Sequence, residues 1–141
     1  MEHSKIEYEK LTTGYEFPPS GFTLDSTVVE AYLKAVEDNN PLYAENRIVP
    51  PMAVVALAMA AMSQSLLLPP GTVHVSQELG FNRTVNIGET LTSYASVNRK
   101  VARGKFHMLS IGIKVENQKQ ETVITGETGF ILPFDAAEQK K

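Results

Sequence analysis

The sequence predicts an α+β domain in which a long antiparallel β-sheet is wrapped around one buried central α-helix. Three observations carry this. The stretch from Ile48 to Pro70, IVPPMAVVALAMAAMSQSLLLPP, holds no charged residue, and every side chain from Met52 to Met62 is apolar. The hydrophobic period is helical up to this stretch and two beyond it. Turn signals at Arg103-Gly104 and from Asn117 to Gln120 divide the second half into strands short enough to pair as hairpins.

Composition excludes several classes of function. The 141 residues are enough for one domain with a sizeable core, expected to span residues 1–141 with its packed part at about 8–133. The net charge of −3 gives no basic field for nucleic acid. Cysteine is absent, so disulfides, thiolate metal sites and a cysteine nucleophile are excluded. The opening residues, MEHSKIEYEK, contain no signal-peptide core, and a cytoplasmic location is expected. The apolar stretch is too short to span a bilayer, which needs about 20 apolar residues, and Ser63, Gln64 and Ser65 interrupt it.

The elements follow in order. Met1 to Glu7 is polar and expected to be loosely held, and Tyr8 to Ser20, with Gly14 and Pro18-Pro19, reads as an irregular lead-in. Phe22 to Leu24 forms a short strand. Asp25 or Ser26 then caps a helix to about Glu37, with Val28, Val29, Tyr32, Leu33 and Val36 recurring on one face. Asp38 to Asn46 reads as a loop. Pro51 suits the first position of the central helix, which ends near Ser65 and, being apolar all round, is expected to be buried all round. Thr72 to Thr84 is extended and Val85 to Glu89 turns. Leu91, Ser93, Ala95 and Val97 alternate with polar neighbours along the next strand. Leu109, Ile111, Ile113 and Val115 share one strand face, and a last strand from Val123 to Leu132 places Ile124, Phe130 and Leu132 together. The tail after Phe134 is polar and expected to fray.

The loop and strands carry a family resemblance. Asp38-Asn39-Asn40-Pro41-Leu42-Tyr43 is similar to the motif Asp-x-Asn-Pro-x-His of the MaoC-like hydratases and dehydratases, which have the hotdog fold. Phe81 to Leu91 resembles the family's Phe-x-Arg-Pro-Val-x-x-Gly-Asp-x-Leu, and Val49-Pro50-Pro51 resembles the Val-Ala-Pro-Pro entry to the central helix in the branch near the mycobacterial dehydratase subunits. His74 falls where family members often have histidine. The resemblance covers roughly Tyr8 to Pro133, and its one departure from the catalytic motif is Tyr43 in place of histidine.

The resemblance implies addition or removal of water next to a thioester carbonyl. A base activates water, an acid protonates carbon and fixed donors hold the enolate oxygen. By similarity Asp38 and Tyr43 occupy the catalytic positions, Asn40 supports the loop near substrate, and backbone N–H groups of Met52 and Ala53 face the thioester oxygen at the positive end of the helix. No cofactor or metal is implied. Histidine titrates at about 6.5 and tyrosine at about 10, so Tyr43 leaves three readings open. Tyr43 donates a proton to a changed site with Asp38 as base; or the chain binds acyl groups while a partner supplies the catalytic pair; or the fold hydrolyses thioesters, with Asp38 or Glu45 activating water. The implied ligands are acyl-CoA or acyl-ACP thioesters, and the implied assembly is a homodimer or a heterodimer with a second hotdog subunit. Each residue also has a structural role open to it: Asp38 and Asn40 as turn formers, Tyr43 as packing and Arg83 as an ion-pair partner.

Overall fold

The computed structural model describes residues 5–133; the expected frayed tail from Phe134 onward lies outside them. Two short strands open and close the helical half: β1 (Ile6–Glu7) pairs in parallel with β3 (Leu66–Leu67). The N-terminal residues expected to be loose are thus held by backbone pairing from Ile6 onward, because the end of the central helix presents strand edges to them. A single 3₁₀ turn, Tyr8–Lys10, follows. The remaining elements are β2 (Ser20–Thr23), α1 (Ser26–Ala35), α2 (Leu42–Asn46), α3 (Pro51–Ser65), β4 (Val73–Phe81), β5 (Thr90–Arg103), β6 (Phe106–Glu116) and β7 (Thr122–Pro133).

The long strands form one antiparallel sheet in the order β2-β5-β6-β7-β4. Residues directly opposite one another share a face. The rows Val97–Ile111–Thr128 and Leu109–Phe130 therefore lie on the face packed against α3, as does Val115–Ile124. Val54, Ala58 and Met62 of α3 join these residues in a single core cluster. The expected grouping of Ile124, Phe130 and Leu132 holds, each being buried.

The helices depart from expectation in three ways. Asp25 is the N-cap of α1 as expected, its Oδ1 accepting from the Val28 N–H at 2.9 Å. The helix stops at Ala35 instead of Glu37 because Glu37 adopts φ +56° and the Asp38 N–H reaches back to the Leu33 carbonyl at 2.9 Å. With the Glu37 N–H bonded to the Lys34 carbonyl at 3.2 Å, this is a Schellman ending. Of the expected apolar face, Val29 is buried, Tyr32 and Leu33 are half-buried, and Val28 and Val36 are exposed. The loop after Asp38 contains the short helix α2. Finally, α3 is not buried on all sides: Ala53, Val54, Val55, Ala58 and Met62 face the core, whereas Met52, Ala56, Ala60 and Ser63, spaced along the opposite side, are exposed. The chain supplies one large sheet, and one sheet covers one face of a helix.

Candidate functional site

The motif loop is built from its own side chains. Asp38 Oδ1 accepts from the Asn40 N–H at 3.0 Å, and Asn40 Oδ1 accepts from the Leu42 N–H at 3.0 Å. Two successive Asx turns thus deliver the chain into α2, with Asn40 satisfying a donor that the first turn of the helix leaves open. Left-handed residues bracket the segment, Glu37 at φ +56° on one side and Arg47 at φ +50° on the other. Neither is glycine, so both conformations cost energy that the surrounding structure supplies.

Beyond Arg47 the chain is zipped onto the turn before β5. The Ile87 N–H donates to the Arg47 carbonyl at 2.8 Å and the Val49 N–H to the Val85 carbonyl at 2.7 Å. These bonds set where α3 begins. They also separate two hollows. One, of about 140 Å³, lies between α1 and α2 and is lined by Tyr43, Arg47, Ser26, Val29, Glu30 and Leu33. The other, of about 250 Å³, lies beside the start of α3 against Pro51, Val54, Phe81, Val85 and Ile124 and is mostly apolar.

Asp38 is half-buried and is not among the residues lining the Tyr43 cleft. Tyr43 is also half-buried, and its hydroxyl has no hydrogen-bond partner among the described residues. The two residues that the motif resemblance puts in catalytic positions thus stand on either side of the start of α2, Asp38 before it and Tyr43 within it. At the start of α3, the Ala53 N–H already donates to the Pro50 carbonyl at 2.9 Å. Pro51 has no N–H, so Met52 is the uncommitted donor there among the described residues, and the residue is 48% exposed. Of the expected pair Met52 and Ala53, only Met52 has an amide free to meet a ligand.

Several residues named from the sequence take structural roles. Arg83 pairs with Glu121 at 3.1 Å, tying the segment after β4 to the β6–β7 turn. The Glu121 carboxylate also accepts from the Asn117 side chain at 3.0 Å, and that amide first, with Arg83 and Lys119 adding to it, holds Glu121 below its usual 4.5. His74 Nε2 meets the Ser76 carbonyl at 2.9 Å. Among the described residues no group of three or more His, Cys, Asp or Glu side chains is arranged to hold a metal ion. Sequence reasoning missed Arg47 as a wall of the Tyr43 cleft, because a left-handed residue that is not glycine leaves no mark in sequence.

A family model described as FAS1-like, dehydratase domain region, matches residues 11–126. The chain belongs to this family. Solved structures agree with the assignment. The R-hydratase PhaJ1 from Pseudomonas aeruginosa aligns over 92% of this chain and 86% of its own, with 26% identity and a TM-score of 0.77. The (R)-hydratase from A. caviae involved in PHA biosynthesis shares the fold, at 21% identity and a TM-score of 0.75 over 89% of this chain and 99% of that one. So does the HadBC (3R-hydroxyacyl-ACP dehydratase) complex from Mycobacterium tuberculosis, at 18% identity and a TM-score of 0.70 over 84% and 96%. No curated protein sequence gives a significant match. The fold is the hotdog fold and the family is that of the MaoC-like hydratases and dehydratases, as the motif resemblance implied.

Proposed function

We propose that this chain is the acyl-thioester-binding hotdog subunit of a hydratase/dehydratase acting on 2-enoyl or 3-hydroxyacyl thioesters of CoA or acyl carrier protein. A second hotdog subunit completes the acid/base pair. The observation that carries the reading is that Tyr43, which by the motif resemblance takes the histidine's place, lines a cleft whose lining does not include Asp38. Water addition needs a base and an acid converging on neighbouring carbons, and a phenol that keeps its proton to about pH 10 is a poor base at neutrality. The apolar hollow beside Pro51 and Phe81 is suited to an acyl chain, and the Met52 N–H, at the positive end of α3, to the thioester oxygen.

A second reading, an active hydratase with an altered pair, is favoured by one feature: Asp38 Oδ2 and the Tyr43 hydroxyl are both half-buried and uncommitted among the described residues. In it Asp38 is the base and Tyr43 the proton donor. One assay separates the readings. Purified protein is mixed with a short 2-enoyl-CoA while loss of the conjugated double bond and release of free CoA are followed together. The subunit reading expects neither signal from this chain alone, and hydration once a second hotdog protein with an intact histidine is added. Hydration by the chain alone, reduced about 10²-fold or more in Asp38→Asn, would establish the altered pair instead. Release of CoA without hydration would make the chain a thioesterase.

A further inference from the structure

We infer that the outer face of the sheet, opposite α3, carries a second binding cleft that takes a phosphomonoester on a small apolar body. A cavity of about 270 Å³ opens there, away from the motif loop. Its floor is a cross-strand row read directly from the pairing register: Arg99 of β5 opposite Ser110 of β6, Ser110 opposite Gly129 of β7, and Gly129 opposite Ser76 of β4. Adjacent rows through Ile111 and Leu109 face the core, so this row faces outward.

Four features make it more than a bare sheet surface. Both outer strands of the row are bulged at the cleft, β5 between Val97 and Arg99 and β4 between His74 and Ser76, and bulges re-aim side chains. Gly129 keeps the floor open, since a Cβ there would meet Ser76 Oγ. Ser110 Oγ is buried yet has no hydrogen-bond partner. Arg99 and Arg103 line the cleft, and their side chains make no ion pair or hydrogen bond among the described residues.

Within the lining, two cationic side chains, Arg99 and Arg103, stand against one acid, Glu127, with Glu78 opposite it across the β4–β7 pair. The acid in the lining, Glu127, is engaged by Asn98 Nδ2 at 2.8 Å, and Asn98 stands at the β5 bulge. Two free guanidinium groups beside serine hydroxyls match the tetrahedral oxygens of phosphate. Val101 and Met108 line the same cleft and give the ligand an apolar contact.

The test is calorimetric titration of the full chain at low salt with phenyl phosphate and inorganic phosphate, then with CoA and dephospho-CoA. Phenyl phosphate is expected to bind more tightly than inorganic phosphate, and the double variant Arg99→Gln/Arg103→Gln to weaken it about tenfold or more with an unchanged melting temperature. Ser110→Ala, a smaller change, is expected to weaken it less. CoA binding well above dephospho-CoA in the wild type but not in the double variant identifies the terminal phosphate of the carrier as the source; equal binding of the two identifies a free phosphate ester. No binding of phenyl phosphate at millimolar concentration, or equal binding by the double variant, overturns the inference. This cleft is independent of the acyl-thioester reading: hydration assays report on the loop and on Asp38, and these titrations on Arg99 and Arg103.

Discussion

Lys100 places its ammonium group among three carbonyl oxygens of the N-terminal turn, donating to Tyr8 at 2.9 Å, Leu11 at 2.9 Å and Glu9 at 3.3 Å, and it lies 4.5 Å from the centre of the Tyr8 ring. Lys100→Met is expected to cost about 1–2 kcal/mol in urea denaturation, because three carbonyls lose a charged donor. Burial raises the Tyr8 phenol above its usual 10.0, with Glu9 adding to it, and lowers Lys100 below its usual 10.5 against the pull of Glu9. The signs oppose. Above pH 10 the unfolded chain loses the tyrosine proton first, so the Tyr8 contribution falls as pH rises; below pH 10.5 the unfolded chain holds the lysine proton longer, so the Lys100 contribution rises with pH. Tyr8→Phe is therefore expected to reduce the alkaline loss of stability measured across pH 9–11, a window of about one unit either side of the tyrosine value. At acid pH, Glu121 favours the fold above 4.5 and loses that effect as pH falls through its lower folded value. NMR titration should place its midpoint below 4.5, moving upward in Asn117→Ala. Gly126 is fixed by packing, since a Cβ would stand 2.7 Å from the Glu78 carbonyl oxygen. Gly126→Ala should destabilise the β4–β7 pair by about 1–3 kcal/mol. The Asn117–Glu121 contact lies within one turn, whereas Tyr8 and Lys100, or Glu78 and Gly126, are far apart along the chain and meet only in the fold.

At the scale of elements, the sequence located what depends on neighbours along the chain. The Asp25 cap, the start of α3 at Pro51 and its end at Ser65 fall where local chemistry puts them, as does the Arg103-Gly104 turn. Asp38 and Asn40 form the turns that their types favour. The misplaced features are local devices that residue type does not announce. Glu37 in the left-handed conformation ends α1 two residues early through a Schellman ending, and the short α2 is introduced by the Asx turns of Asp38 and Asn40 and followed by Arg47 in the left-handed conformation. Glu37→Gly should raise stability by about 1 kcal/mol, since glycine adopts that conformation freely, whereas Asp25→Ala should lower it by about 1 kcal/mol. Thermal unfolding of the two variants beside the parent chain checks both signs.

For the whole molecule, the incomplete burial of α3 is the feature with the widest consequence. Met52, Ala56 and Ala60 are exposed along one side of an uncharged helix, and the edge strand β4 leaves Val73, Val75 and Phe81 about half exposed. An uncovered strand edge next to an uncovered apolar helix face is an unstable surface in water. Sedimentation velocity is expected to show a dimer, alone or with a second hotdog subunit, and Ala60→Glu to dissociate it while leaving the fold intact. The α+β class, the central helix and the family resemblance were legible before any coordinates, because each is written in local pattern: uncharged length, change of period, residue order. Folding settled which side of α3 is buried, that Tyr43 lines a hollow with Arg47 and the first turns of α1, and that a serine-glycine row beside two arginines lines a cleft on the far side of the sheet. Those are matters of strand register and of where one sheet runs out, and no residue encodes them without its partners across the fold.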